Sequence, residues 1–302
     1  MVNGDSRFGI VVGIDGSEAS TSAVRWATRE AETRSLPLTV VTVLAPVVPA
    51  SGPWPEVPLP EGYVRLQRSE ARKILDEALR TVADSAAAED LQITGEVALG
   101  PILATLVDMS RQADMVVVGC RGEGAVARAL LGSVSSGLVH LAHCPIAVIH
   151  PEQPCSSQAP VVVGIDGSPT SELATAIAFD QASRRAVDLI ALHSWSDMGP
   201  IEFASANWAP IEWRNIRVAE EEVLSERLSG WREQYPDVTV HKVVVCDRPA
   251  PRLLEQAADA QLLVVGSHGR GGVPGMLLGS VSTAIVNSAR IPVIIARLPG
   301  DT

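Results

Sequence analysis

Two hydrophobic patterns alternate along the chain. Short runs of consecutive aliphatic and β-branched residues, such as Leu38–Leu44 and Met115–Gly119, are separated by longer stretches in which apolar positions recur with a helical period. A continuous apolar run of this length fits a strand covered on both faces, and its alternation with amphipathic segments predicts a parallel sheet flanked by helices. The runs predict strands at Gly9–Ile14, Leu38–Leu44, Ile93–Ala98, Met115–Gly119 and Ile146–His150. A second series is predicted at Val161–Ile165, Leu189–His193, Thr239–Val245, Leu262–Gly266 and Val293–Ala296. Ser17 and Ser168 stand where helix N-caps belong, and Pro169 follows at a first helical position, where its missing N–H costs nothing. The amphipathic run Val64–Ala87 reads as a surface helix with a solvated Arg/Lys face.

The pattern is written twice. VVGIDGS occurs at Val11–Ser17 and at Val162–Ser168. Val116–Ser135 answers Leu263–Ser282, and Cys144–His150 answers Ile291–Arg297, in the same order and at nearly the same spacing. Matches of this length imply duplication of one unit. The stretch Pro151–Pro160 has linker composition without apolar period. The expected organisation is an α/β chain of two tandem domains, 1–150 and 159–298, joined by linker 151–158, each a five-stranded, mainly parallel sheet flanked by helices.

Composition narrows the function. A length of 302 residues accommodates two domains of ordinary size, and 4% aromatic content predicts aliphatic cores. A net charge of −11 disfavours nucleic acid and anionic membranes as partners, since both select clustered Lys and Arg. The chain shows neither an apolar run of membrane-spanning length nor an export signal at its start, so a cytoplasmic protein is expected. Cys120, Cys144, Cys155 and Cys246 form no CxxC pair, which predicts reduced thiols and no zinc site.

The candidate chemistry lies after the fourth strand of each copy. Gly119, Gly122 and Gly132 are separated by two and nine residues and followed by Ser133; Gly266, Gly269 and Gly279 repeat the gaps and are followed by Ser280. Glycines let backbone amides approach an anion, and a helix starting at GSVS aims its unsatisfied N–H groups at the same place, so this is a candidate phosphate cradle. The alternative is a tight strand-to-helix turn without a ligand. Neither a GxxxxGK[ST] loop nor a GxGxxG series occurs at these sites. Asp15 and Asp166 precede Gly-Ser and could equally serve as Asx-turn or capping residues.

These residues together resemble the universal stress protein family, in its tandem two-domain form. The resemblance covers nearly the whole chain and rests on the G-x2-G-x9-G-[S/T] series and the Asp that closes the first strand. It implies Rossmann-like domains that hold ATP at the carboxyl ends of the strands, the usual place in open parallel sheets. By that likeness Gly119, Gly122, Gly132, Ser133, Val134 and Ser135 contact phosphates in the first site. Gly266, Gly269, Gly279, Ser280, Val281 and Ser282 do so in the second. Gly13 with Asp15, and Gly164 with Asp166, meet the adenosine, and Val43 and Ser194 match the position whose backbone contacts adenine.

His268 and Arg270 lie in the second glycine loop, where the first copy has Arg121 and Glu123. A carboxylate facing phosphates is unfavourable, so the second site is expected to be the better one. No metal-ligating side-chain set is expected; Mg²⁺ would arrive on ATP. The resemblance also implies an intramolecular pseudo-dimer through the strands near Cys144–His150 and Ile291–Arg297, with homodimer formation open. The Pro-rich loop Ala45–Gly62 with Trp54, and the loop carrying Trp195, Trp208 and Trp213, are candidate lids or mere covers of exposed core.

No nucleophile–base–orienter set recurs in both copies, so no catalytic residue is assigned. The expected function is an ATP-binding stress-response regulator working through nucleotide-dependent conformation or association. The alternatives are a slow ATPase or phosphate-transferring enzyme, and a nucleotide-free interaction scaffold.

Overall fold

The computed structural model describes residues 8–46, 62–86, 90–122, 131–151, 156–195, 210–270 and 278–298, with backbone alone at 210–215. The chain divides into two compact units, Met1–Pro151 and Glu152–Thr302. The first runs β1 (Ile10–Gly13), α1 (Glu18–Arg34), β2 (Leu38–Leu44), α2 (Tyr63–Ser85), β3 (Ile93–Leu99), α3 (Ile102–Ser110), β4 (Met115–Gly119), α4 (Ser133–Leu141) and β5 (Ile146–Ile149). Its strands lie in the order β3-β2-β1-β4-β5, with every neighbour parallel. Ile10 stands opposite Leu38 on one side and Met115 on the other.

The second unit runs β6 (Val161–Gly164), α5 (Pro169–Arg185), β7 (Leu189–Ser194), α6 (Pro210–Gln234), β8 (Val240–Val245), α7 (Pro249–Ala257), β9 (Leu262–Gly266), α8 (Ser280–Ser288) and β10 (Val293–Ala296). Its order, β8-β7-β6-β9-β10, is the same topology and again parallel. In both units the first strand is central, and the chain leaves it towards one edge and returns to its other side. The switch point lies between β1 and β4, and between β6 and β9, where a crevice opens at the carboxyl ends.

The apolar runs are explained by burial on both faces. Ile10, Val11 and Val12 are fully buried, as are Val116 and Val117, Val161–Val163 and Leu262–Val264. The edge strand β3 is exposed from Ile93 to Glu96, which is why its sequence is interrupted by Thr94, Gly95 and Glu96. Phe179 is the aromatic side chain fully buried among the described residues, and it packs with Trp231 and Tyr235 to join α5 to α6.

Helix starts follow the capping chemistry read from the sequence. The Ser17 hydroxyl accepts the Ser20 amide and the Ser168 hydroxyl accepts the Ser171 amide, each 3.2 Å away. Strands β2, β4, β9 and β10 have the predicted bounds, and the other six differ by one residue at one or both ends. Trp213 falls inside α6 rather than in a loop. Trp54 and Trp208 lie outside the described residues, as does Cys155. Cys120, Cys144 and Cys246 are free thiols. No helix among the described residues is long and apolar enough to cross a membrane.

Candidate functional site

The crevice of the first unit is a cavity of about 690 Å³. Gly13, Asp15, Val43, Gly119, Gly122 and Gly132–Ser135, the residues singled out in the first copy, all line it. One end is apolar, walled by Val41, Val43, Leu44, Ile102 and Leu106; the other carries Arg121, Gly122 and the start of α4. The inner face of α2 contributes Gln67, Glu70, Ala71 and Ile74. These α2 residues are the part that sequence reasoning missed, because the period of Val64–Ala87 predicts only a surface helix with a solvated Arg/Lys face. The signal was present in the spacing of Gln67, Ala71, Ile74 and Ala78, four residues on one helical stripe.

The phosphate-like end is built from backbone. The Gly132 amide donates to the Cys120 carbonyl at 2.7 Å. The Ser135 hydroxyl, 3.0 Å from that carbonyl and 3.1 Å from that of Gly132, donates to them as well. These bonds close the loop and spend the Gly132 amide and the Ser135 hydroxyl proton inside it. Helix α4 has Gly132 as N-cap and no side-chain cap, unlike α1 and α5 with their serines. The amides of Ser133 and Val134 therefore remain as first-turn donors at the cavity wall. Burial pushes the thiol of Cys120 above its ordinary range, so a neutral sulfur backs this loop.

Asp15 ties the two strand ends together. Its Oδ1 accepts the Ser17 amide at 3.1 Å and the Ser17 hydroxyl at 2.7 Å, the Asx-turn geometry left open by the sequence. Its Oδ2 lies so close to Gly122 that a Cβ there would overlap it. At Gly119 an added Cβ would stand 2.7 Å from the Ala19 carbonyl carbon, so α1 packs directly on the strand end. The two glycines thus serve close approach of a helix and of a carboxylate.

The second unit repeats the backbone half of this arrangement. Asp166 accepts the Ser168 amide at 2.9 Å through Oδ1 and the Arg270 amide at 3.1 Å through Oδ2. A Cβ on Gly269 would meet Asp166 Oδ2 at 2.5 Å, and one on Gly266 would meet Thr170 Oγ1 at 2.7 Å. The Gly279 amide donates to the Ser267 carbonyl at 2.8 Å, and α8, which contains Ser280, Val281 and Ser282, starts at Gly279 without a side-chain cap. The Ser282 hydroxyl donates to the Gly266 carbonyl, closing the loop as Ser135 does. His268 belongs to this loop, with its Nδ1 3.2 Å from the Ser267 hydroxyl and its carbonyl accepting from Ser168 and Thr170. Gly164 packs on Leu253 as Gly13 does on Leu106. Arg270 is exposed, and Glu123 lies outside the described residues.

The other half of the second unit is different. Ser194 donates its hydroxyl to the Asp247 carbonyl, binding the end of β7 to the loop after β8. The Arg248 amide and the Arg252 guanidinium hold the Asp247 carboxyl below the usual range. His193 is buried, with Nδ1 2.6 Å from the Ile165 carbonyl and Nε2 3.1 Å from Glu220 Oε2. Arg227 lies on Gly167, and its Nε is buried without a partner. Apart from Ser194, none of these was singled out from sequence; the His193–Glu220 and Gly167–Arg227 pairings join positions far apart in the chain. Among the described residues no three His, Cys, Asp or Glu side chains are grouped to hold a metal ion.

The pattern of the family described as the universal stress protein family matches residues 9–150 and 159–297. The chain belongs to the universal stress protein family. A universal stress protein of Mycobacterium tuberculosis is 57% identical over 313 residues, covering 98% of this chain and 97% of that protein. Another from the same species is 50% identical over 301 residues, covering 98% and 99%. The crystal structure of a universal stress protein from Archaeoglobus fulgidus matches with a TM-score of 0.67 at 19% identity, over 96% of this chain and 98% of that one. That last likeness is one of fold, and it extends across both members of the tandem.

Proposed function

We propose that each half of the chain, 1–150 and 159–298, binds an adenine nucleotide, ATP accompanied by Mg²⁺, and that occupancy regulates the protein's conformation or association in a cytosolic stress response. The observation that carries the reading is the first unit's cavity, which joins an uncapped helix start to an apolar pocket in one space of about 690 Å³. That volume falls within the ~300–1,000 Å³ of small-molecule sites. In this reading the triphosphate meets the amides of Ser133 and Val134 and the positive end of the α4 dipole. Asp15 accepts from the ribose hydroxyls, and the base lies among Val41, Val43 and Ile102. Mg²⁺ is held by phosphate oxygens, where it offsets their charge.

The preference for the second site rested on Glu123; the described geometry supports the first. Where the second unit sets His193, Glu220 and Arg227, the first has the uncharged Thr42, Gln67 and Ile74 lining its cavity. A binding role rather than turnover is supported by the carboxylates of the first cavity. Asp15 is engaged by Ser17, and Glu70 on α2 is the other carboxylate among the lining residues.

The test is gentle purification followed by mass spectrometry of released nucleotide, with calorimetry of ATP–Mg²⁺ binding. Adenine nucleotide in the preparation and saturable heat are expected. No nucleotide and no heat would turn the reading towards an interaction scaffold, and single-turnover release of phosphate at a useful rate would turn it towards an ATPase.

A further inference from the structure

A smaller cleft of about 170 Å³ opens beside the main cavity of the first unit, between the start of α1 and the middle of α2. Its polar lining is Gly16, Ser20, Thr21, Glu77 and Thr81, and Ile74 forms part of the wall it shares with the main cavity. The hydroxyl protons of this lining are already spent. Ser20 and Thr21 donate to the Ser17 carbonyl at 2.9 and 3.2 Å, and Thr81 donates to the Glu77 carbonyl at 3.0 Å. What these three oxygens still offer is lone pairs. Together with the Glu77 carboxylate they make a lining rich in acceptors, which suits a cation carrying several N–H donors.

The second unit carries a cation of its own at this place. The buried positions Ala71 and Leu75 of α2 match Leu224 and Leu228 of α6, which puts Arg227 where the first unit has Ile74. The Arg227 guanidinium lies on Gly167, the counterpart of Gly16, so closely that a Cβ on Gly167 would overlap it. Both glycines have positive φ, +88° and +81°, and present bare backbone to this space. Trp231, in the place of Ala78, donates its Nε1–H to Glu172 Oε1 at 2.8 Å, so a carboxylate borders the niche in either copy.

We infer that the cleft of the first unit is a binding site for a guanidinium group brought by another molecule, seated on Gly16 with Glu77 as its counter-ion. The group is either the side chain of an arginine in a partner polypeptide or a free small guanidinium compound. The site requires no nucleotide in the neighbouring cavity, so it stands or falls separately from the reading above.

The experiment is titration of the nucleotide-free full-length chain with methylguanidinium at constant ionic strength, followed by ¹H–¹⁵N correlation spectra. Saturable shifts are expected at the amides of Gly16, Ser20, Thr21 and Glu77, with methylammonium binding about fivefold more weakly because it lacks the planar fork. Glu77→Gln, at an exposed helix position, weakens binding about fivefold or more by removing the charge-assisted hydrogen bond. Ile74→Arg installs the second copy's own group and abolishes the response. L-Arginine and a capped Gly-Arg-Gly peptide then separate the sources: tighter binding of the peptide assigns the group to a protein partner, tighter binding of the free amino acid to a small molecule. Absence of saturable shifts with methylguanidinium overturns the inference, as does an unchanged affinity in Glu77→Gln.

Discussion

In the first unit the inner face of α2 brings Gln67, Ala71 and Ile74 to an open cavity; in the second, the matching stretch of α6 brings Glu220 to His193 and Arg227 to Gly167. On the opposite side of the crevice the copies hardly differ. Gly122 abuts Asp15 as Gly269 abuts Asp166, and α4 and α8 both begin at an uncapped glycine. Duplication has thus preserved what the backbone dictates and let the facing helix diverge. The physical reason is tolerance: a glycine in van der Waals contact with another backbone admits no side chain, whereas an inward position on an amphipathic helix accepts Ile or Arg if the space beside it adjusts.

The sharpest way to break the comparison is at the shared half. Gly119→Ala places a methyl group 2.7 Å from the Ala19 backbone, where no rotamer change relieves it, and should cost about 3 kcal/mol in urea unfolding. Gly266→Ala meets the Thr170 backbone as well as its hydroxyl and should cost as much. If either variant unfolds like the parent, the close helix–strand approach described above is wrong.

The next test addresses the half that differs. Gly16→Ala should cost about 1 kcal/mol from its left-handed backbone, whereas Gly167→Ala should cost about 2 kcal/mol or more, since its methyl group displaces Arg227. Adding Arg227→Ala to Gly167→Ala should recover the difference in a double-mutant cycle; equal costs in the two copies would erase the distinction.

Ligand affinity then sharpens the shared half. Gly122→Ala should weaken ATP–Mg²⁺ binding about tenfold by pushing the Asp15 carboxylate from its place, at an unfolding midpoint near the parent's. Asp15→Glu should act in the same direction by moving the carboxylate along one methylene. Calorimetry that finds both variants binding as the parent does would remove Asp15 from the site. The smallest expected effect separates the facing helices once more. Glu220→Ala should destabilise by about 1 kcal/mol through loss of the His193 hydrogen bond, while Gln67→Ala should fall within about 0.5 kcal/mol of the parent.

The amino-acid sequence by itself determined the duplication, the ten strands and the glycine spacing. Continuous apolar runs such as Val116–Val118 have one stable use in a globular chain, and a cap such as Ser168-Pro169 is a local device that needs no tertiary partner. Even the inward face of α2 was written in its period, although nothing local said that a cavity stood behind it. Only the tertiary structure decided what Gly122 and Gly269 are packed against, which hydrogen-bond donors the loops consume internally, and how the copies differ. Those outcomes depend on pairs such as Asp15 with Gly122 or Gly167 with Arg227, which are brought into contact by the sheet crossovers and leave no mark on the residues between them.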